Sequence, residues 1–235
     1  RRPPRSTLFP YTTLFRSGAR DLLERADQAD AVALGPGLGQ HPETVQAVRL
    51  LVGKLDKPLV LDADGLNALA GGLECLERRT APIILTPHPG ELSRLMKLSI
   101  SEIQKQRFSL AREFARRHRC HLVLKGAGTI VASPDGMVWC NPTGNTGLAK
   151  GGSGDVLTGL IGGLLAQSYD AFSSALLGVY VHGLAADLAI EQSSPRSIRA
   201  SDVIAHLGMA YHALEAQKSI AHSNSRHPTA AKGDD

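Results

Sequence analysis

The sequence has few cysteines, and none of them stands in a metal-binding or redox pattern. Cys75, Cys120 and Cys140 are odd in number and form no CxxC motif or Cys/His ligand spacing. Isolated thiols of this kind are typical of buried side chains in a reducing compartment. With 235 residues and 43% hydrophobic composition, the chain can bury a core that needs neither disulfides nor a metal.

Long apolar segments are also missing from the sequence. No uninterrupted apolar run reaches the roughly 18 residues of a membrane-spanning helix, and the N-terminus has no apolar segment of the signal-peptide type. There is no internal repeat. We therefore predict a soluble, cytoplasmic protein that has no membrane partner.

The sequence lacks a basic stripe that could follow a nucleic-acid backbone. The formal net charge is +4, but residues 1–17 hold four arginines and no acid, so the rest of the chain is formally neutral. Within that segment, TLFPYTTLFRS has no amphipathic period and matches the translation of a common sequencing adapter. We predict that residues 1–17 are non-native, that residues 18–216 form one domain and that residues 217–235 are a polar, disordered tail.

From residue 18 onward, short apolar runs alternate with longer segments of helical periodicity. This alternation is typical of βαβ units, in which helices cover both faces of a mainly parallel sheet. The helix predicted over 101–118 would bury Ile103, Phe108, Ala111, Phe114 and Ala115. The other predicted elements are strands in 29–35, 58–65, 81–91 and 121–126, a helix that starts near Pro42, a hairpin over 129–140, and two or three helices from Asp155 to about residue 216.

Four unusual loops each follow one of the predicted strands. They are GPGLG (35–39), DADGLN (62–67), TPHPGE (86–91) and KGAGT (125–129). In open α/β sheets, ligands bind beyond the carboxyl ends of the strands. The four loops therefore predict a single site at that edge of the sheet.

The first two loops also have purely structural interpretations. GPGLG differs in spacing from the dinucleotide motif GxGxxG and could be only a tight turn, or its glycines could let a ligand approach the backbone. Asp62 and Asp64 could hold Mg²⁺ together with a phosphate. Alternatively, Asp64 caps a short helix and Asn67 bonds to its own loop.

The next two loops leave similar alternatives open. In TPHPGE, two prolines fix the backbone around His88, which favours an imidazole aimed at a ligand; Glu91 could serve only as a first-turn acid of a helix. No third metal ligand stands at a suitable spacing. In KGAGT, Lys125 could offset phosphate charge beside exposed amides, or it could be an ordinary surface lysine.

The glycine-rich segment NPTGNTGLAKGGSGD (141–155) is the strongest signal. It has five glycines in 15 residues before a helix start, and a helix N-terminus with free amides binds anions. The segment lacks the GKS or GKT ending of a P-loop. Asp155 could be only the cap of this helix. As a mere cap, its carboxylate would weaken an anion site, which favours a role in removing a proton from a hydroxyl that faces the phosphate.

Taken together, GPGLG, DADGLN, LTPHPGE, VLKGAGT and GNTGLAKGGSGDVLTGLIGGLLAQ resemble the nucleotide-dependent NAD(P)H-hydrate dehydratases of the ribokinase-like superfamily. The resemblance covers roughly residues 30–210. It implies a ribokinase-like α/β fold and repair of the hydrated S-epimers of NADH and NADPH, with ADP or ATP as co-substrate, Mg²⁺ as cofactor and a homo-oligomer, in this family a tetramer.

The resemblance also implies roles for individual residues. Gly37 and His88 would contact the hydrated nicotinamide nucleotide, and Asn145 would line the same pocket. Asp155 would be the general base. The adenine nucleotide would contact Lys125, Gly126, Ala127, Gly128, Thr129, Gly152, Ser153 and Gly154.

One departure from the family pattern stands at the N-terminus. Members begin with a strand, a glycine-rich GGS-like loop and alanine-rich helices ahead of the GPGLG strand, and this segment is absent here. The first strand and helices of the domain are therefore expected to be missing, and with them one wall of the pocket. Two alternative functions are a ribokinase-like kinase for a small molecule such as hydroxyethylthiazole and a catalytically inactive nucleotide-binding fragment.

Overall fold

The structure is a computed structural model that describes residues 11–191 and 193–225. Six short strands alternate with nine α-helices and two 3₁₀ turns within these residues. The strands are β1 (Val32–Leu34), β2 (Leu59–Leu61), β3 (Ile83–Leu85), β4 (His121–Leu124), β5 (Ile130–Ala132) and β6 (Val138–Cys140). The helices are α1 (Tyr11–Asp27), α2 (Pro42–Lys54), α3 (Ala63–Leu69), α4 (Pro89–Met96), α5 (Ile100–Lys105), α6 (Arg107–His118), α7 (Ser153–Ala166), α8 (Ala171–Ala189) and α9 (Ala200–Ser225), and the 3₁₀ turns are Leu73–Arg78 and Thr146–Leu148.

The strands form one sheet in the order β1-β2-β3-β4-β5-β6. Strands β1 to β4 are parallel to one another, and β5 and β6 continue the sheet as an antiparallel hairpin. Each predicted strand and the predicted hairpin are present. The expectation of a mainly parallel sheet is confirmed.

Alternate residues of the strands supply two separate cores, one on each face of the sheet. Leu59 and Leu61 pack with α2 to α6, whereas Val60 between them packs with α7 and α8 on the opposite face. Because successive side chains of a strand point to opposite faces, a fully buried strand requires apolar residues at every position. Helices therefore cover both faces, as the sequence predicts.

The helix predicted over 101–118 is two helices, which corrects that prediction. A capping box between Ser99 and Glu102 starts α5, and Gln106 leaves helical geometry (φ −128°, ψ 32°) before α6 begins. Ile103, Ala111, Phe114 and Ala115 are nevertheless buried in one core, as predicted. Phe108, predicted to be buried, lies beside the break and is 55% exposed.

The predicted domain limits do not coincide with the ends of helices. Helix α1 spans Tyr11–Asp27 and crosses the limit placed between residues 17 and 18. Helix α9 continues to Ser225 and thus includes part of the segment 217–235 that was predicted to be disordered. Residues 1–10 and 226–235 lie outside the described residues.

The expectation that the three cysteines are buried needs correction. Cys140 is exposed, while Cys75 is half-buried and Cys120 is buried; burial raises the pKa of Cys120 to about 12. Helix α8 is long and apolar enough to meet the length and hydropathy criteria for a membrane span, although no uninterrupted apolar run does. A buried core helix meets the same criteria, and much of α8 packs between other helices.

Candidate active site

The four predicted loops lie together at the carboxyl edge of the parallel strands. Backbone hydrogen bonds continue the sheet into the loops: Asp62 N–H donates to the Leu34 carbonyl, Thr86 N–H to Leu61, and Lys125 N–H to Pro87. Asp62, Thr86 and Lys125 are thus held side by side. Helix α7 begins over the same edge and packs on β1 and β2.

An ion pair between a buried carboxylate and a partly buried ammonium group connects β2, β4 and α7 beneath this edge. Lys125 Nζ lies 2.7 Å from Asp62 Oδ1, and Thr158 Oγ1 donates to Asp62 Oδ2 at 2.9 Å. Asp62 is only 1% exposed. Gly154 lies directly above, because a Cβ there would be 3.3 Å from Asp62 Oδ2 and 3.4 Å from Lys125 Nζ. The ion pair therefore sets the position at which α7 begins.

His88 and Glu91 cap helix α4 reciprocally. His88 Nδ1 accepts hydrogen bonds from the N–H groups of Gly90 and Glu91, and Glu91 Oε2 accepts from His88 N–H at 2.8 Å. Glu91 thus stabilises the start of a helix, which is one of the roles that the sequence allowed. Its Oε2 also lies 3.8 Å from Lys125 Nζ. The His88 side chain is 51% exposed. Because its Nδ1 is an acceptor, Nε2 carries the proton in the neutral ring.

The KGAGT loop presents backbone donors that no described residue accepts from. In the described part of the chain, the N–H groups of Gly126, Ala127 and Gly128 donate to no protein acceptor. Gly126 (φ +141°) and Gly128 (φ +61°) have backbone angles that favour glycine. Successive free amides in such a turn form an anion-binding concavity.

The glycine-rich segment before α7 presents a second set of free donors. Gly152 is the N-cap of α7 at φ +86° and makes no side-chain cap. Among the described residues, no protein acceptor pairs with the N–H groups of Gly151, Gly152, Gly154 or Asp155. These amides and the helix dipole favour a phosphate at this position.

Asp155 stands in the first turn of α7 with an exposed side chain. Within the described residues, its carboxylate accepts no hydrogen bond and forms no ion pair. Asp155 therefore does not cap its helix by a side-chain hydrogen bond. An unengaged carboxylate beside free amides is available to accept a proton from a bound ligand.

Asn145 is held by a residue that the sequence reasoning missed. Asp187 on α8 accepts hydrogen bonds from Gly144 N–H at 2.8 Å and from Asn145 Nδ2 at 2.9 Å. Asn145 Oδ1 in turn accepts from Gly147 N–H. Asp187 lies about 40 residues after Asn145, within an apolar helical pattern. The only sequence signal for it is that it is an isolated acid in HGLAADLA.

GPGLG approaches the second loop closely. Gly35 has φ +138°, and a Cβ there would lie 1.8 Å from the Asp62 carbonyl oxygen, so only glycine fits. Gly37 (φ +74°) has open space around it. Gly39 N–H donates to Asp64 Oδ2 at 2.8 Å, and Gln40 Nε2 donates to Asp64 Oδ1 at 3.1 Å.

The two acids proposed as metal ligands are engaged by protein donors. Both carboxylate oxygens of Asp62 and both of Asp64 accept hydrogen bonds from the chain. No group of three or more His, Cys, Asp or Glu side chains in the described part of the chain is arranged to hold a metal ion. A magnesium ion held by protein ligands alone does not fit these residues.

His182 is a second residue that the sequence reasoning missed. It is 6% exposed on α8, and its Nε2 is buried without a hydrogen-bond partner among the described residues. Burial lowers the pKa of His182 to about 4; the Ser153 backbone opposes this shift and the charge of Lys125 adds to it. A neutral imidazole therefore lies beneath the start of α7.

We expect His182 to make the protein less stable in mild acid. Between pH 6.5, the ordinary pKa of histidine, and about pH 4, the unfolded chain binds a proton that the folded protein does not. The free energy of unfolding should fall over this window by at most about 3 kcal/mol. Chemical denaturation at several pH values should show this dependence weakened in His182→Gln and retained in His212→Gln, an exposed control; equal slopes in all three proteins would contradict it.

This arrangement is typical of a class of protein. In the described residues, a mainly parallel sheet carries two sets of unpaired amides and an unpaired carboxylate at its strand ends, a pattern found in α/β proteins that bind phosphorylated ligands. The sequence also matches a model of the NAD(P)H-hydrate dehydratase family over residues 5–207. The chain belongs to that family, and the predicted ribokinase-like fold is confirmed.

Individual relatives agree with this assignment. The chain is 44% identical over 206 residues to the bifunctional NAD(P)H-hydrate repair enzyme of Moorella thermoacetica, covering 88% of this chain but 39% of that enzyme. It is 38% identical over 198 residues to the ADP-dependent (S)-NAD(P)H-hydrate dehydratase of Bacillus subtilis, covering 83% of this chain and 70% of the relative. The chain therefore spans less than half of the bifunctional enzyme and most of the single-function one.

A solved structure has the same fold. The ADP/ATP-dependent NAD(P)H-hydrate dehydratase of Bacillus subtilis, co-crystallized with ATP and Mg²⁺, aligns with a TM-score of 0.70 at 40% identity. The alignment covers 81% of this chain and 69% of that one.

Proposed function

We propose that this protein dehydrates the S-epimers of hydrated NADH and NADPH at the expense of an adenine nucleotide, as a carbon–oxygen lyase of metabolite repair. Family membership and the named activity of the Bacillus subtilis relative support this. The observation that carries the proposal is Asp155, an exposed carboxylate that has no partner among the described residues and stands among the free amides at the start of α7.

In the proposed reaction, Asp155 removes the proton from the hydroxyl of the hydrated ring. The hydroxyl oxygen then attacks the terminal phosphorus of ADP, the bridging P–O bond breaks and AMP leaves. The ring nitrogen lone pair next expels phosphate by breaking the C–O bond, and loss of a proton from the neighbouring carbon restores the reduced nicotinamide. The products from ADP are thus AMP and phosphate.

The free amides would stabilise the charge on the transferred phosphoryl group. Donors already fixed in position stabilise developing charge without reorganisation, which is the principle of an oxyanion hole. Gly126 to Gly128 supply one set, and the turn Gly151–Asp155 supplies the other together with the N-terminus of α7. Thr129, Gly152, Ser153 and Gly154 would line the same nucleotide site.

The sequence suggested that Lys125 offsets the charge of a bound phosphate, and the proposal changes this role. The Lys125 ammonium group is bound to Asp62 and lies near Glu91, so it does not offset phosphate charge as a free cation. Mg²⁺ would accompany the nucleotide phosphates, because the described residues offer no protein-held site for it. Gly37 and His88 would contact the hydrated nicotinamide nucleotide, and Asn145 would line its pocket.

Three further expectations belong to the proposal. ADP is the expected co-substrate, since the Bacillus subtilis relative is named ADP-dependent. The protein is expected to act in the cytoplasm and to form a homo-oligomer, in keeping with the tetramer of the family. The family match favours this activity over the two alternatives, a small-molecule kinase and an inactive nucleotide-binding fragment.

Recovery of the reduced cofactor from its hydrate tests the proposal. The S-epimer of hydrated NADH is incubated with the protein and ADP, ATP or no nucleotide, and the absorbance of the reduced nicotinamide is followed. We expect recovery only with a nucleotide, and the R-epimer is the matched control. No recovery with either nucleotide, together with normal nucleotide binding, would favour the inactive fragment. Phosphorylation of an added hydroxyethylthiazole would favour the kinase.

A further inference from the structure

Arg107 contacts the back of the KGAGT loop from the first turn of α6. Its Nη2 donates to the Leu124 carbonyl at 3.3 Å, and its Nη1 donates to the Ala127 carbonyl. The two carbonyls lie on either side of Lys125 and Gly126. One guanidinium group therefore bridges the end of β4 and the tip of the loop.

These contacts determine the direction in which the loop amides point. In a trans peptide the carbonyl and the following N–H point in opposite directions. Arg107 holds the Ala127 carbonyl and thereby directs Gly128 N–H away from itself. Thr129 Oγ1 donates to the Gly126 carbonyl at 3.1 Å. This contact directs Ala127 N–H away from the Thr129 hydroxyl. The carbonyls are satisfied by the protein while these N–H groups remain free.

The burial of Arg107 is energetically unfavourable by itself. Arg107 is half-buried, burial lowers its pKa, and no carboxylate of the described residues forms an ion pair with it. Its Nε is buried without a partner in the same part of the chain. Burying a charged group without a counter-ion is unfavourable, so its two hydrogen bonds to the loop are the feature that calls for an explanation.

We propose that Arg107 is a positioning residue that holds the amide of Gly128 in the orientation that binds the terminal phosphates of the adenine nucleotide, beside the Ala127 amide that Thr129 orients. The inference rests on the proposed function for the identity of that ligand. The guanidinium fork lies close against the loop, since a Cβ on Gly126 would be 3.1 Å from Nη2. The Thr129 side chain bonds the Gly126 carbonyl instead of the two carbonyls that Arg107 holds. A lysine at position 107 could reach one carbonyl but not hold both.

The test compares Arg107→Met, Arg107→Lys and Arg112→Met with the unchanged protein. Arg112 is an exposed arginine on the same helix and serves as the matched control. Calorimetry measures ADP binding, and turnover with the S-epimer gives kcat and the KM for ADP and for the hydrate. Thermal denaturation verifies that each variant folds, and Arg107→Lys retains the charge should Arg107→Met fold poorly.

We expect Arg107→Met to raise the Kd and KM for ADP about tenfold to a hundredfold, the effect of losing one or two charge-assisted hydrogen bonds. The KM for the hydrate should change less than about threefold. We expect kcat to fall as well, because the same amides are proposed to stabilise the transferred phosphoryl group. Arg107→Lys should lie between Arg107→Met and the unchanged protein. Equal ADP affinity in all variants would overturn the positioning role and leave the proposed function intact. If the unchanged protein binds no adenine nucleotide, both proposals are overturned.

Discussion

We expect Asp155→Asn to lower kcat about a hundredfold to ten-thousandfold, the range for removing a general base. The same substitution should leave nucleotide affinity unchanged or tighter. Asparagine keeps the size of the side chain but cannot accept the proton of the substrate hydroxyl. It also removes a negative charge beside the position proposed for the phosphates, and like charges repel.

The surroundings of Asp155 make this substitution informative. The carboxylate has no protein partner among the described residues, so replacing it breaks no contact that stabilises the fold. A first-turn acid contributes about 0.3–1 kcal/mol through the helix dipole, and stability should fall by no more than that. The measurements are single-turnover kinetics, calorimetric titration with ADP and thermal denaturation.

Asp170→Asn provides the control for this experiment. Asp170 is also an acid at a helix N-terminus, where it caps α8 by accepting from Ser173 N–H, but it is not part of the candidate site. We expect this variant to lose some stability and keep its turnover. If Asp155→Asn behaves in the same way, Asp155 stabilises its helix and does no chemistry.

The second large effect is expected at the buried ion pair. Asp62→Asn should lower the free energy of unfolding by about 3 kcal/mol, because it leaves the Lys125 ammonium without its nearest counter-charge. Glu91 at 3.8 Å compensates only in part. Since Asp62 also accepts from Thr158, the start of α7 should shift and turnover should fall as well.

A double-mutant cycle separates the ion pair from the other contacts of Asp62. Asp62→Asn is measured alone and in a Lys125→Met background by chemical denaturation, and we expect it to cost less where the ammonium is already absent. Asp56→Asn is the control, because Asp56 accepts from Thr80 on the protein surface at 2.8 Å; its loss should cost under about 1 kcal/mol. Additive effects of the two changes would contradict a coupled pair.

The sequence predicts the fold well because its signals are local. Each strand is a short apolar run bounded by turn residues, and the hairpin is marked by SPDG. The break at Gln106 was missed because an apolar period continues across it, and only the capping box at Ser99 and Glu102 marks a new helix. The extent of α9 was missed because a polar composition favours disorder without excluding a helix.

The candidate site was only partly accessible from the sequence. The loops at the strand ends carry composition signals, so Lys125, His88 and Asp155 stood out. Thr158 and Asp187 act across 96 and 42 residues of sequence, and such contacts arise only when α7 and α8 pack on the sheet. The ion pair with Lys125 also changed the interpretation of Asp62. In a sequence, a carboxylate that binds a metal cannot be distinguished from one that binds a lysine.

The most direct test of the account is the stoichiometry of the reaction. Phosphate release and formation of the reduced nicotinamide are measured together with ADP and the S-epimer of hydrated NADH, and then with each reactant alone. We expect equal amounts of both products, and neither product when one reactant is missing. Reduced nicotinamide formed without a nucleotide, or phosphate released without the hydrate, would contradict it.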